Sequence, residues 1–392
     1  MKKLRVLSLS TLYPNDLTTN FGIFVERQMA AVAARGDVDL VMLNPLGLPP
    51  FPLSLHPRYR PLRRVTQTEL RHGVNVNRPH FTLLPGTGGR FNARFEARGV
   101  LPLARKLHAE APFDLIDAQF FYPDGPAAMR VARALGLPCS IKARGADVHF
   151  WGHEAASAAQ VRDAVRNADG LLAVSGGLAD DLVALGASRE RITLHRTGLD
   201  RNVFRPLDRL ECRAKLGLPA DASVLACVGA LIERKGQAFA IEALAELPDA
   251  LLVLAGAGPD DAQLHLLAAR LGVAERVRFL GPVPHGELPV LLSAADVFVL
   301  PTRSEGLANA WVEALACGTP VVTTPIPGAQ ELLTDPAYGR MVERNASAFA
   351  QAIGELLASP PPREAVLAGA AEFSWEANAE ALVAHWRRLA DQ

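Results

Sequence analysis

The chain has 392 residues, 49% apolar and 21% charged, with 41 basic residues balancing 41 acidic ones. That length exceeds what one core usually fills, so two domains are expected, and the composition is that of a folded chain rather than a disordered one. No apolar run reaches the roughly 20 residues of a membrane helix, and Cys139, Cys212, Cys227 and Cys317 lack the spacing of a disulfide framework or a zinc site.

After the basic start from Met1 to Arg5, the apolar run ends in Thr11-Leu12-Tyr13-Pro14-Asn15, too short for a signal-peptide core and without a small-residue cleavage site. It reads as a buried first strand, and the expected location is the cytoplasm or the inner face of the membrane. Further strands are expected at 38–45, 73–81, 114–119, 139–144, 170–175 and 192–196, then at 223–231, 250–256, 277–281, 297–302 and 320–324. Most are apolar without alternation, as strands buried on both faces should be, and helix-like segments separate them. This rhythm predicts an α/β chain of two Rossmann-like domains. The stretch 46–62 is proline-rich and reads as a surface loop, and 196–206 breaks the rhythm as a linker. The expected divisions are 1–198, 199–370 and a closing segment 371–392, whose helix over Phe373 to Leu389 packs back toward the first domain.

Charge is unevenly spread. Residues 1–150 hold 20 basic and 11 acidic residues, a balance of +9, and the rest hold 21 and 30, a balance of −9. Between Arg58 and Lys106 there are 11 basic residues against Glu69 and Glu96. Such a surface attracts anions, an anionic membrane or a diphosphate-linked acceptor among them; a merely solvated surface is the alternative, and no nucleic-acid partner is expected.

In the second half, Glu305-Gly306-Leu307-Ala308-Asn309-Ala310-Trp311-Val312-Glu313 follows a strand directly. Helical spacing of its apolar residues predicts a helix from near Gly306 to Gly318, whose free N–H groups suit a phosphate. Glu305 and Glu313 would then lie about 12 Å apart along the helix, too far for a glycosidase pair but suited to the two ends of a sugar diphosphate. After the first strand of this domain comes Glu233-Arg234-Lys235-Gly236, where Arg234 offers a planar fork and Lys235 a point charge to a diphosphate. Either motif alone would describe solvated side chains. Both fall at strand ends of one sheet, where they can converge.

With Leu254-Ala255-Gly256-Ala257-Gly258-Pro259, Phe279-Leu280-Gly281-Pro282-Val283 and Ala316-Cys317-Gly318-Thr319-Pro320, these segments resemble family 4 of the retaining glycosyltransferases over most of 223–335. The resemblance implies the GT-B fold, two Rossmann-like domains facing each other across a deep cleft. It implies a cytoplasmic enzyme moving a sugar from a nucleotide diphosphate sugar, UDP-linked before GDP-linked, to a glycan or lipid-linked acceptor in surface-polysaccharide synthesis, of the teichuronic acid type. No cofactor and no metal are implied. Arg234 and Lys235 would hold the diphosphate, Glu313 the ribose, Glu305 with Gly306, Leu307, Ala308 and Asn309 the donor sugar and distal phosphate, and Val283 would lie near the base.

The first half, read as acceptor-binding, matches more loosely. The loop through Asn20-Phe21-Gly22 keeps one glycine where relatives have a pair beside the donor phosphate. In Lys142-Ala143-Arg144-Gly145-Ala146-Asp147, Arg144 stands where many relatives place a histidine at the reaction centre. An arginine binds a sugar or an anion but serves poorly as a base; pairing with Asp147 is its structural alternative. Asp124 and Asp147 are candidate acceptor contacts. Asp37-Val38-Asp39 reads as structural rather than as a metal motif, and His149 and His153 lack the acid of a zinc-protease motif. Two other readings stay open: a sugar-nucleotide epimerase on the same fold, and a non-catalytic binder of nucleotide sugars or anionic lipids.

Overall fold

The computed structural model describes residues 3–19 and 21–391, so Met1 and Asn20 of the segments above lie outside the described residues. Two compact units emerge. One runs to Gly198 and takes in the chain from Trp375 onward; the other spans Leu199–Ser374.

The first unit contains strands β1 (Leu4–Leu9), β2 (Val38–Leu43), β3 (Leu46–Leu48), β4 (Thr68–Arg71), β5 (Val74–Asn77), β6 (His80–Thr82), β7 (Leu115–Ala118), β8 (Cys139–Ala143), β9 (Gly170–Ala173) and β10 (Ile192–Leu194). Eight of them form one sheet in the order β10-β9-β8-β7-β1-β2-β5-β4, and β3 pairs with β6 apart from it. All neighbours in the large sheet are parallel except β4, which runs antiparallel to β5 at the edge. Its helices are α1 (Ile23–Ala34), α2 (Asn92–Glu110), α3 (Asp124–Leu135), α4 (Ala146–His149), α5 (Ala158–Asn167) and α6 (Gly176–Ala184), with the final helix Trp375–Ala390 packed on α1. That final helix buries Trp386, whose indole donates to Asp117 at 3.0 Å.

The second unit contains β11 (Ser223–Val228), β12 (Ala250–Ala255), β13 (Val277–Gly281), β14 (Val297–Leu300), β15 (Val321–Thr323) and β16 (Gly339–Met341), all parallel in the order β13-β12-β11-β14-β15-β16. Its helices are α7 (Arg209–Lys215), α8 (Gln237–Ala245), α9 (Asp261–Arg270), α10 (Leu288–Ala294), α11 (Asn309–Ala316), α12 (Pro327–Leu332), α13 (Ala346–Ala358) and α14 (Arg363–Ala368). Central strands such as β14 are fully buried, which is why they read as unbroken apolar runs.

The order of strands reverses beside the first strand of each sheet, between β1 and β7 and between β11 and β14. Loops leaving the carboxyl ends of strands at such a switch point frame a crevice for ligands. In the first unit these loops carry Thr11, Gln119 and Asp124. In the second they carry Arg234, Lys235 and Glu305.

Three expectations need correction. The helix expected from Gly306 starts at Asn309, because Gly306 to Ala308 are spent turning the chain out of β14. The strand expected at 73–81 is two strands, β5 and β6, since Arg78-Pro79 breaks the ladder between them. The surface-loop stretch 46–62 includes β3 and two short 3-10 turns, Leu53–Leu55 and the start of Arg60–Arg64.

Candidate functional site

The second crevice is built on a glycine. Gly236 follows the turn Glu233–Lys235 with φ +75°, and a Cβ there would collide with the carbonyl of Pro301, so only glycine brings the two loops this close. The close approach sets three donors on one carboxylate oxygen. Glu305 Oε1 accepts from Arg234 Nη1 at 2.9 Å and from Thr302 Oγ1 at 3.1 Å, and Lys235 Nζ lies 2.6 Å away. Arg234 also donates to the Ser304 carbonyl. Burial alone would raise the Glu305 carboxyl, but Lys235 and then Arg234 outweigh it and hold the group below its ordinary value. Two cations thus share one anion, and the cluster keeps an excess positive charge.

Beside it, the N–H groups of Gly306 to Ala310 meet no protein acceptor among the described residues, the usual state of a helix start. Glu313 lies further along α11. It is 4% exposed and receives a 2.7 Å contact from His285 Nε2, whose ring packs against Phe204 at 4.9 Å between centroids. His285 was not singled out in the sequence, and Thr302 was read as the end of the strand at 297–302; the Pro284-His285 turn after Val283 is the signal that was available for the first. Val283 is half-buried against the core of this unit.

In the first unit, Gly22 (φ +79°) precedes α1, and a Cβ on it would strike the backbone of Leu12. The β1 loop is therefore folded tightly over the start of α1. Arg144 leaves the end of β8 and is fixed by its neighbours: Nε donates to the Gln119 carbonyl at 2.7 Å and Nη2 to Gln119 Oε1 at 2.8 Å. Gln119 is held in turn by Gln28 and by Asp117. Behind them Lys142 is fully buried, with Nζ 2.8 Å from both Gln28 Oε1 and His195 Nδ1. Burial, then the Arg144 charge, pushes the Lys142 amine well below its ordinary range. Burial also brings Arg144 down to about 10, which leaves it charged at neutral pH.

Asp147 does not take the Arg144 guanidinium. It accepts from the backbone N–H groups of Phe121, Arg144 and Gly145, at 2.8, 3.0 and 2.7 Å. Asp124 likewise accepts from the Thr11 N–H and hydroxyl, both at 2.8 Å. Both carboxylates are fully buried, and they shape the loops around the crevice. Beneath Asp124 lies a second buried acid, Glu96 of α2. Its carboxyl oxygens meet no donor with good geometry, and burial and then Asp124 raise it well above the ordinary carboxyl range. Asp124 itself is pushed up to about 7 by burial, against the pull of Thr11.

Asp37 pairs with Arg35 and Arg387, and Asp39 with Arg5. His149 meets Asp181, and His153 lies beyond the end of α4.

Residues 22–198 match the Glycosyl transferase 4-like domain and residues 208–372 match Glycosyl transferases group 1. D-inositol 3-phosphate glycosyltransferases of Mycobacterium tuberculosis and Mycobacterium bovis are 38% identical over 239 residues, which is 57% of this chain and 49% of theirs. The chain therefore spans about half the length of the curated relatives it matches. Among solved structures, sucrose-phosphate synthase of Thermosynechococcus elongatus superposes with a TM-score of 0.81 at 22% identity, covering 98% of this chain and 99% of that one. Anabaena HepE, solved with UDP and glucose, superposes with a TM-score of 0.72 at 22% identity over 99% of this chain and all of its own. Likeness at such identity establishes the shared fold.

Proposed function

We propose that this GT-B chain, family 4-like in both halves, is a glycosyltransferase that moves a sugar from a nucleotide diphosphate donor to an acceptor hydroxyl. The observation that carries the reading is the Arg234–Lys235–Glu305 cluster at the switch point of the second sheet, a cationic excess beside open helix N–H groups. UDP is the favoured nucleotide, a preference supported by the UDP in the HepE structure.

As the bond from the anomeric carbon to the diphosphate breaks, negative charge grows on the departing oxygen. Arg234 and Lys235 stabilise that charge, together with the N–H groups of Gly306, Leu307, Ala308 and Asn309. Glu305 orients both cations and accepts from the donor sugar's hydroxyls, and Glu313 binds the ribose, with Val283 beside the base. Gly22 lets the β1 loop approach the donor phosphate. The reaction retains configuration without a metal: the acceptor attacks from the side the diphosphate leaves, and its proton passes to a phosphate oxygen.

Arg144 contacts the donor sugar or an anionic part of the acceptor, held in place by Gln119. The acceptor is a glycan or lipid-linked hydroxyl in cell-surface polysaccharide synthesis. An anionic membrane surface is the partner for the basic region 58–106, where Arg58, Arg60, Arg63 and Arg64 follow the exposed side chains of Phe51, Leu53 and Leu55.

A panel of UDP-, GDP- and ADP-sugars, each with and without lipid-linked acceptors, tests this by nucleotide release. Release that depends on acceptor is expected with a UDP-sugar. Interconversion of the donor sugar without acceptor would instead make the protein an epimerase, and tight nucleotide binding with no turnover of any donor would make it a binder.

A further inference from the structure

Between α2 and α3 lies a surface pocket of about 440 Å³, open to solvent and lined by Arg94, Ala97, Arg98 and Leu101 from one helix and by Arg130 and Val131 from the other. Ala97 and Val131 are buried and give it an apolar floor, while the three arginines stand exposed around it. The fold crowds like charges here. Burial lowers Arg130 first; Arg133 and Arg94 lower it further, while Asp163 and Tyr122 pull the other way.

The two acids of the basic 58–106 segment do not offset this charge. Glu69 pairs with Arg71 and Arg78 near β5, and Glu96, although on α2, is buried against Asp124. Among the described residues no ion pair joins Arg94 or Arg98 to a carboxylate. Three guanidiniums set against the one opposing charge of Asp163 favour an anion, and planar guanidiniums from two helices suit the oxygens of a phosphate. The volume lies in the range of small-ligand sites.

We infer that this cavity binds a phosphate ester, separately from both strand-end crevices: Arg94, Arg98 and Arg130 take the phosphate oxygens, and Ala97, Leu101 and Val131 take an apolar continuation. A soluble phosphate ester and the headgroup of an acidic phospholipid share this chemistry.

The test uses the full chain carrying Arg234→Ala and Lys235→Ala, so that phosphate binding at the second unit does not contribute. Glycerol 1-phosphate is titrated by calorimetry, and vesicles of phosphatidylglycerol in phosphatidylcholine are used for flotation. Adding Arg98→Gln and Arg130→Gln is expected to weaken binding at least about tenfold, the scale of losing charged hydrogen bonds, and Arg98→Lys with Arg130→Lys to restore part of it. Melting curves verify that each variant is folded. Vesicle binding alone that weakens with Arg98→Gln and Arg130→Gln assigns the site to a lipid headgroup, and weakening of both ligands to the phosphate ester itself. Binding unchanged in the Arg94→Gln, Arg98→Gln, Arg130→Gln variant overturns the inference, as does no binding in either arm.

Discussion

At the switch point of the second sheet, Arg234 and Lys235 share a single carboxylate, and Arg234 donates also to the Ser304 carbonyl. At that of the first, Asp147 accepts from three backbone N–H groups, Asp124 from the N–H and hydroxyl of Thr11, and Arg144 is clamped by Gln119. The same fold thus serves two purposes. One crevice keeps an unbalanced positive charge; the other uses its charges to fix loop geometry. Substitutions in the second unit should therefore strike the chemistry, and substitutions in the first should strike positioning and stability.

The sharpest way to break this contrast is Lys235→Ala, which is expected to lower kcat by roughly 10²–10³, the scale of losing one donor to a developing oxyanion. Steady-state nucleotide release measures it, and a drop under threefold would place the leaving-group charge elsewhere. Next comes Glu313→Ala, expected to raise the donor KM by about 10- to 100-fold with a smaller change in kcat, since it removes charge-assisted bonds made equally in both states. Arg144→Gln should cost about tenfold in kcat/KM for the acceptor and leave donor binding unchanged; an equal loss with the donor would merge the two crevices into one role.

The smallest effect is a pH dependence. Glu96 and Asp124 hold their protons more tightly in the folded chain than in the unfolded one. The contribution of Asp124 is therefore present in acid and is lost as pH rises from about 4, the ordinary carboxyl value, through about 7, and that of Glu96 is lost in the same direction. Glu96→Gln should raise the melting temperature of the first unit by about 2–4 °C at pH 8 and change it little at pH 4. A variant that is equally destabilised at both pH values would show that Glu96 is needed for its shape rather than its proton.

The central strands were legible because burial on both faces leaves an unbroken apolar run, as in β11 and β14. Two of the four edge strands, β4 and β16, were not. Thr68–Arg71 alternates between exposed and half-buried residues, and three-residue strands such as β16 carry too little pattern to stand out from a loop. The same divide runs through the candidate site. Glu305, Arg234 and Lys235 stood out because each lies just past a readable strand. The Gln28–Gln119–Lys142 network and the Glu96–Asp124 pair join residues distant in sequence, with no periodicity to announce them. Glu96 counted in sequence as one of two acids moderating a basic surface. Its burial takes it out of that balance.

The final helix also bears on how the chain comes to be folded. Trp386 closes over Asp117, His385 meets Ser140, and the backbone of Asn378 receives His195, so the first unit is completed by residues made after the whole of Leu199–Ser374. During synthesis the second unit has all its strands in hand while the first still waits for its last layer. The part encoded later is thus free to fold earlier, and a chain stopped at Ser374 keeps the second unit whole but leaves Asp117 and His195 without Trp386 and Asn378, their partners in the final helix.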